Sequence, residues 1–119
     1  MTLKRIYVAG PYSAKTEALV KYNIAAALMF AHPIRRAGAV PVVPHICVPT
    51  FAGMEDEEAI WQSAMRECLS HLSTCHAVLF IPGWEKSRGA KLEHLQAEEW
   101  GIEICYTMGE VEALVGRAA

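Results

Sequence analysis

The run Ala77-Val78-Leu79-Phe80-Ile81 is apolar at every position and is stopped by Pro82-Gly83. A strand with one face in water alternates polar and apolar residues. A strand with no polar position is covered on both faces, as in the middle of a parallel sheet. Parallel neighbours need crossovers of a dozen or more residues, usually helices. The rest of the chain must therefore supply further strands separated by helices, and it does. Arg5-Ile6-Tyr7-Val8-Ala9 is a β-rich run ended by Gly10-Pro11. Val40-Pro41-Val42-Val43-Pro44 is a second, and its two prolines suit an edge position. Ile102-Glu103-Ile104-Cys105-Tyr106 is a fourth.

Between these runs the apolar residues recur at helical spacing. Residues 16–37 place Ala18, Leu19, Tyr22, Ala25, Ala26, Met29 and Phe30 on one stripe. Pro33 has no N–H to donate, which predicts a kink or break near His32, and Gly38 closes the segment. Residues 55–73 carry Ile60, Trp61, Ala64, Met65, Cys68, Leu69 and Leu72, with Glu55, Asp56, Glu57 and Glu58 at the positive end of the dipole. Ser87 caps a third helix that runs to Trp100 and ends at Gly101. Residues 109–117 form a short last helix.

Alternating strands and helices give right-handed βαβ units. The pattern predicts a flavodoxin- or Rossmann-like α/β domain over residues 1–119. Its parallel sheet has four or five strands in the order 2-1-3-4, with helices on both faces. Ligands on such sheets bind beyond the carboxyl ends of the strands, where the order reverses. That point lies between strands 1 and 3, where the loops Gly10-Pro11-Tyr12-Ser13 and Gly83-Trp84-Glu85-Lys86-Ser87-Arg88-Gly89 meet.

At 119 residues with 53% hydrophobic content, the chain can fold without metals or disulfides. A net charge of -2 and no basic run argue against a nucleic-acid polymer as partner. No apolar stretch reaches the ~20 residues that span a bilayer, so no membrane partner is expected. Cys47, Cys68, Cys75 and Cys105 form no C-x-x-C pair and no signal peptide is read, so reduced thiols in the cytoplasm are expected. No Walker loop, G-x-G-x-x-G or G-x-S-x-G occurs, and no cofactor is implied.

Glu93 is the most informative position. Glu93, Ala97 and Gly101 share one stripe of the third helix, and small neighbours let that stripe approach the sheet closely. A carboxylate there is drawn toward the crevice, which charged groups avoid unless paired or used. The alternative is a structural pair with Arg88 or Lys86. Ser87 and Gly89 open the same helix, where free N–H groups can hold a phosphate or sugar hydroxyl, or Ser87 is a plain cap and Gly89 a loosened turn. Tyr7 either packs in the core or touches Glu93 or a sugar. Tyr12 and Trp84 can stack on a base or serve as contacts between copies. Cys68, His71, Cys75 and His76 invite a zinc reading, but they lie on or beside an apolar stripe and are read as core residues, with no metal site. His45 is a loop residue at the rim.

These motifs carry a resemblance. Ile6-Tyr7-Val8-Ala9-Gly10-Pro11, Leu79-Phe80-Ile81-Pro82-Gly83-Trp84 and Ser87-x-Gly89-x-x-x-Glu93-x-x-x-Ala97 resemble the nucleoside 2-deoxyribosyltransferase superfamily over nearly the whole chain. The match is to a bacterial and phage branch, related to deoxynucleoside 5′-monophosphate N-glycosidases. The resemblance implies cleavage of a nucleoside or nucleoside 5′-monophosphate through Glu93 as nucleophile. It makes Tyr7 the orienting group and Ser87 the holder of sugar or phosphate. Gly10, Pro11, Tyr12, His76, Gly83, Trp84 and Gly89 become substrate contacts. It also implies a homodimer or larger homo-oligomer. His76 stands where the family often has an aspartate, and the transferases' C-terminal extension is not found. Hydrolysis is therefore expected over transfer, and a non-catalytic nucleotide-binding or sensing module on the same fold is the other reading.

Overall fold

A computed structural model describes residues 3–46 and 57–117. Strand β1 is Arg5–Ala9, followed by helices α1 (Glu17–Leu28) and α2 (Ala31–Arg36) and strand β2 (Val40–Val42). A single 3₁₀ turn covers Pro44–Ile46. Helix α3 is Glu57–Leu72 and strand β3 is Ala77–Phe80. A second 3₁₀ turn, Trp84–Lys86, leads into α4 (Arg88–Trp100), then β4 (Glu103–Cys105) and α5 (Met108–Arg117). Glu55 and Asp56, expected at the start of α3, lie outside the described residues, as does Cys47.

The four described strands form one parallel sheet in the order β2-β1-β3-β4. Tyr7 is level with Val78 on β3, and Val78 with Ile104 on β4. Beyond β3 the ladder continues as the Ile81 N–H donates to the Ala9 carbonyl at 2.9 Å. Pro41 sits on β2, an edge strand, where a missing N–H leaves no central ladder bond unmade.

Alternation along the strands splits the core in two. Ile6, Val8, Leu79 and Ile81 face α1, α2 and α5, packing on Ala27, Ile34, Val111 and Leu114. Tyr7, Ala9, Val78 and Phe80 face α3 and α4, packing on Cys68, Leu72 and Ala97. Every residue of β3 is buried, as a strand covered on both faces requires.

Two local expectations are refined. The segment 16–37 is two helices, and the break expected near His32 falls at residues 29–30. Pro33 has no N–H to offer the Met29 carbonyl one turn earlier, so the ladder is interrupted there. It restarts when Ile34 N–H donates to the Phe30 carbonyl at 3.1 Å. Most of the stripe expected in this segment does not face the core: Tyr22 is 68% and Met29, just past α1, 76% exposed, while Phe30 packs against the core and Ala27 is the buried residue of α1. This helix is apolar nearly all round, so spacing alone does not set which side packs.

Candidate functional site

Tyr7 lies in mid-strand on β1, and pairing on both sides by β2 and β3 holds it rigidly. Its side chain is wholly buried on the α3/α4 face. There the phenol hydroxyl donates a hydrogen bond to Oε2 of Glu93. Glu93 reaches it because α4 buries Ala90, Glu93 and Ala97. Two alanines bring the helix axis close to the sheet, and the acid between them has nowhere to go but inward.

Only 5% of Glu93 is exposed. Burial penalises the charged form and pushes its carboxyl up to about 8, against a weaker opposite pull from the Tyr7 hydrogen bond. Burial likewise drives the Tyr7 phenol well above its usual range, reinforced by Glu93 and by the Cys68 thiol. Tyr7 is therefore a neutral donor at every physiological pH. The structural pair considered for Glu93 does not form, since Arg88 makes a two-pronged bond to Glu58 at 2.9 Å per contact and lies 3.6 Å above the Trp61 ring. No cation bonds Glu93 among the described residues.

Gly10, Pro11 and Gly83 come together at the carboxyl rim. A β-carbon on Gly83 would stand 3.1 Å from Pro11 Cγ, and Gly83 has φ +93°, a conformation glycine adopts freely. Tyr12 follows, its carbonyl accepting from Asn23 Nδ2 at 3.0 Å. Ser87 is the N-cap of α4, its Oγ accepting from the Ala90 N–H at 3.2 Å. Ser87→Ala is expected to cost about 1 kcal/mol of stability in urea unfolding, the usual value of such a cap. Gly89 serves helix packing, because a β-carbon there would meet Met65 Sδ of α3 at 3.0 Å. Trp84 stacks on His94 at 4.6 Å and 11°, beside Phe80 and Tyr106, so its ring is held within the protein.

His76 is not brought to this site. It precedes β3, and strands of a parallel sheet all begin on the rim opposite the one where they end. The exposed imidazole accepts the Arg5 N–H at 2.9 Å through Nδ1, on that far rim. A substrate contact by His76 is corrected on this ground. The structure instead places Cys68, read from the sequence as a core residue, and His45, read as a rim residue, beside the site. Cys68 of α3 is buried in the same cluster as Tyr7, and its thiol bears on the phenol. His45, buried after β2, places Nε2 3.1 Å from the Pro11 carbonyl. A carbonyl only accepts, so Nε2 carries the proton, and Nδ1 is a buried acceptor without a partner among the described residues. Burial lowers the imidazole's pKa and keeps it neutral. The sequence signal for His45 was only its place after the second strand.

A groove of about 360 Å³ opens at the same rim on the opposite face of the sheet, bounded by Pro11, Ile81, Pro82, Tyr22 and Met29. Another hollow, of about 380 Å³, lies remote from the acid at Pro33, Arg36, Ala37 and Glu112. Glu93 lines neither of these two.

Fold and site together define a doubly wound α/β domain with a neutral tyrosine bonded to a buried glutamate at its centre. The chain belongs to the family described as "Domain of unknown function (DUF4406)", whose model matches residues 4–106. No curated protein matches the chain. Among solved structures it is similar to a 2-deoxyribosyltransferase from the psychrotolerant bacterium Bacillus psychrosaccharolyticus, with a TM-score of 0.59 and 17% identity over 84% of this chain and 69% of that one. At that identity the likeness shows a shared fold. Among the described residues no helix is long and apolar enough to cross a membrane.

Proposed function

We propose that this chain cleaves the N-glycosidic bond of a nucleoside or nucleoside 5′-monophosphate, with Glu93 as nucleophile. The observation that carries the reading is the buried Tyr7–Glu93 hydrogen bond: a carboxyl with no cation bonded to it among the described residues, aimed by a rigid donor from the central sheet. A carboxylate oxygen of Glu93 bonds to C1′ as the C1′–N bond breaks, and the electron pair leaves with the base, which takes up a proton. Water then attacks the glycosyl ester, releasing the sugar and restoring the carboxylate. Tyr7 holds the attacking group at one angle. Ser87 and the free N–H groups that open α4 receive the sugar or its 5′-phosphate. Gly10, Pro11, Tyr12 and Gly83 wall the substrate. The superfamily resemblance and the transferase-like fold support this reading. Exposed Leu19 and Tyr22 on α1, with Met29 just past its end, support its further part, a homo-oligomer.

Base release from a panel of nucleosides and nucleoside 5′-monophosphates, followed by chromatography, tests the proposal. Wild type is expected to release free base, and Glu93→Ala to release none. Thermal stabilisation by a nucleotide with no base released would sink the enzyme reading and favour a binding module.

The nucleophile acts as the anion, so kcat/KM is expected to rise with pH and level off above about 8. Tyr7→Phe removes the bond that favours the anion. Its rising limb is expected to move about one pH unit higher, the worth of a charge-assisted hydrogen bond. A limb that stays put or moves lower contradicts the role given to Tyr7.

A further inference from the structure

Helix α4 carries the proposed nucleophile yet grips the sheet weakly. Its buried residues are Ala90, Glu93 and Ala97, and Leu95 is 65% exposed. Two methyl groups and an acid bring the helix close but do little to fix its rotation. That rotation matters: turning α4 by ~20° would carry a glutamate carboxyl, ~6 Å from the axis, about 2 Å sideways. The Tyr7 bond would not survive such a shift.

Something else must lock the helix, and the residue beside Glu93 is held on four sides. His94 Nδ1 lies 3.1 Å from Glu98 Oε1, and its Nε2 lies 2.8 Å from the Tyr106 hydroxyl, just past β4. Trp84 stacks on one face of the ring, and Phe80 of β3 meets it with centroids 4.9 Å apart. The protonation pattern is self-consistent. A carboxylate only accepts, so Nδ1 carries the proton, Nε2 accepts, and Tyr106 donates. Consecutive helical residues diverge by about 100°, so Glu93 reaches toward β1 while His94 reaches toward the end of β4. Any rotation that moves one moves the other. On the opposite flank Arg88 ties the first turn to Glu58 and Trp61 of α3.

We infer that His94 is a positioning residue for Glu93: gripped from outside the helix by Tyr106, Trp84 and Phe80, and oriented by Glu98 of its own helix, it sets the rotation of α4 that keeps the carboxyl on the Tyr7 hydroxyl. The inference rests on the glycosidase reading only where turnover is measured.

The test follows the Glu93 carboxyl by carbon NMR of protein labelled in glutamate side chains, with the signal assigned through Glu93→Gln. Tyr7, with Cys68 in the same buried cluster, is the titratable group facing that carboxyl. In wild type it is expected to titrate at about 8. His94→Ala frees the helix and admits water; the lost Tyr7 bond alone would raise the midpoint, but burial is the larger influence on this carboxyl, so relieving it is expected to lower the midpoint by at least about one pH unit net. Tyr106→Phe keeps every ring contact and loses one hydroxyl; it is expected to move the midpoint less, in the same direction. Leu95→Ala, exposed on the same helix, is expected to move nothing. In turnover, His94→Ala is expected to lower kcat by about 10²-fold with KM little changed, as small misplacements do. An unmoved midpoint in His94→Ala overturns the inference, as does one in Tyr106→Phe should His94→Ala fail to fold. Midpoints that shift as expected in a protein releasing no base leave the clamp standing and sink the glycosidase reading.

Discussion

Glu93→Gln is expected to make the protein more stable at pH 7 by roughly 3 kcal/mol while lowering base release by at least ~10³-fold. The sign follows from the two states' proton uptake. Unfolded, Glu93 titrates near its ordinary value of 4.5; folded, at about 8. Between those values the native state keeps a proton that the unfolded chain has lost, so stability falls by about 1.4 kcal/mol per pH unit as pH rises. The favourable contribution of the neutral acid is therefore complete below about pH 4.5 and gone above about 8. Glutamine copies the neutral acid in shape, still accepts from Tyr7, and never ionises. Urea unfolding at pH 4.5 should find the two proteins within about 1 kcal/mol, and at pH 7 should find the variant ahead. A variant that is less stable at pH 7 contradicts the burial argument. The stability given up for the acid is what a chemical role for it would explain.

The second large effect is steric. A β-carbon on Gly10 would lie 2.7 Å from Ile81 Cδ1 and closer still to Cγ1. Ile81 is buried and bonded through its N–H to Ala9, so it has little room to retreat. Gly10→Ala is expected to cost about 3 kcal/mol, the upper part of the overpacking range. Ile81→Ala alone should cost about 3 kcal/mol by leaving a cavity. The pair should not add. With Ile81 shortened, the new methyl has space, and Gly10→Ala should then cost under about 1 kcal/mol. Additive losses in a denaturation cycle would mean that close contact between the loop after β1 and the end of β3 is not what requires glycine at position 10.

Much of the architecture was legible because its signals are local. Ser87 and Gly101 bound α4 as expected, since a cap and a left-handed stop each act within one turn. The unbroken apolar run of β3 announced a central strand, and Pro41 and Pro44 announced an edge. Properties that depend on distant segments were less visible. The side of α1 that packs could not be read, because a helix apolar nearly all round gives spacing no contrast. His76 lies next to β3 in sequence, yet the direction of the strand puts it at the opposite end of the sheet from the loops it was grouped with. His45, Cys68 and His94 meet their partners across 34, 61 and 12 residues respectively, and no periodicity encodes such pairings. Glu93 was visible for a different reason: an acid on a stripe of small residues breaks the local rule, and such breaks concentrate at functional sites.

The most direct test is a trapping experiment. A 2′-fluoro nucleoside slows both glycosyl-transfer steps, since the electronegative substituent destabilises the oxocarbenium-like transition state. With an activated leaving base, the ester accumulates. Mass mapping of the digested wild type should find the sugar on the peptide bearing Glu93, in stoichiometric amount, with Glu93→Gln unlabelled. Label on any other residue, or equal labelling of Glu93→Gln, would contradict the account.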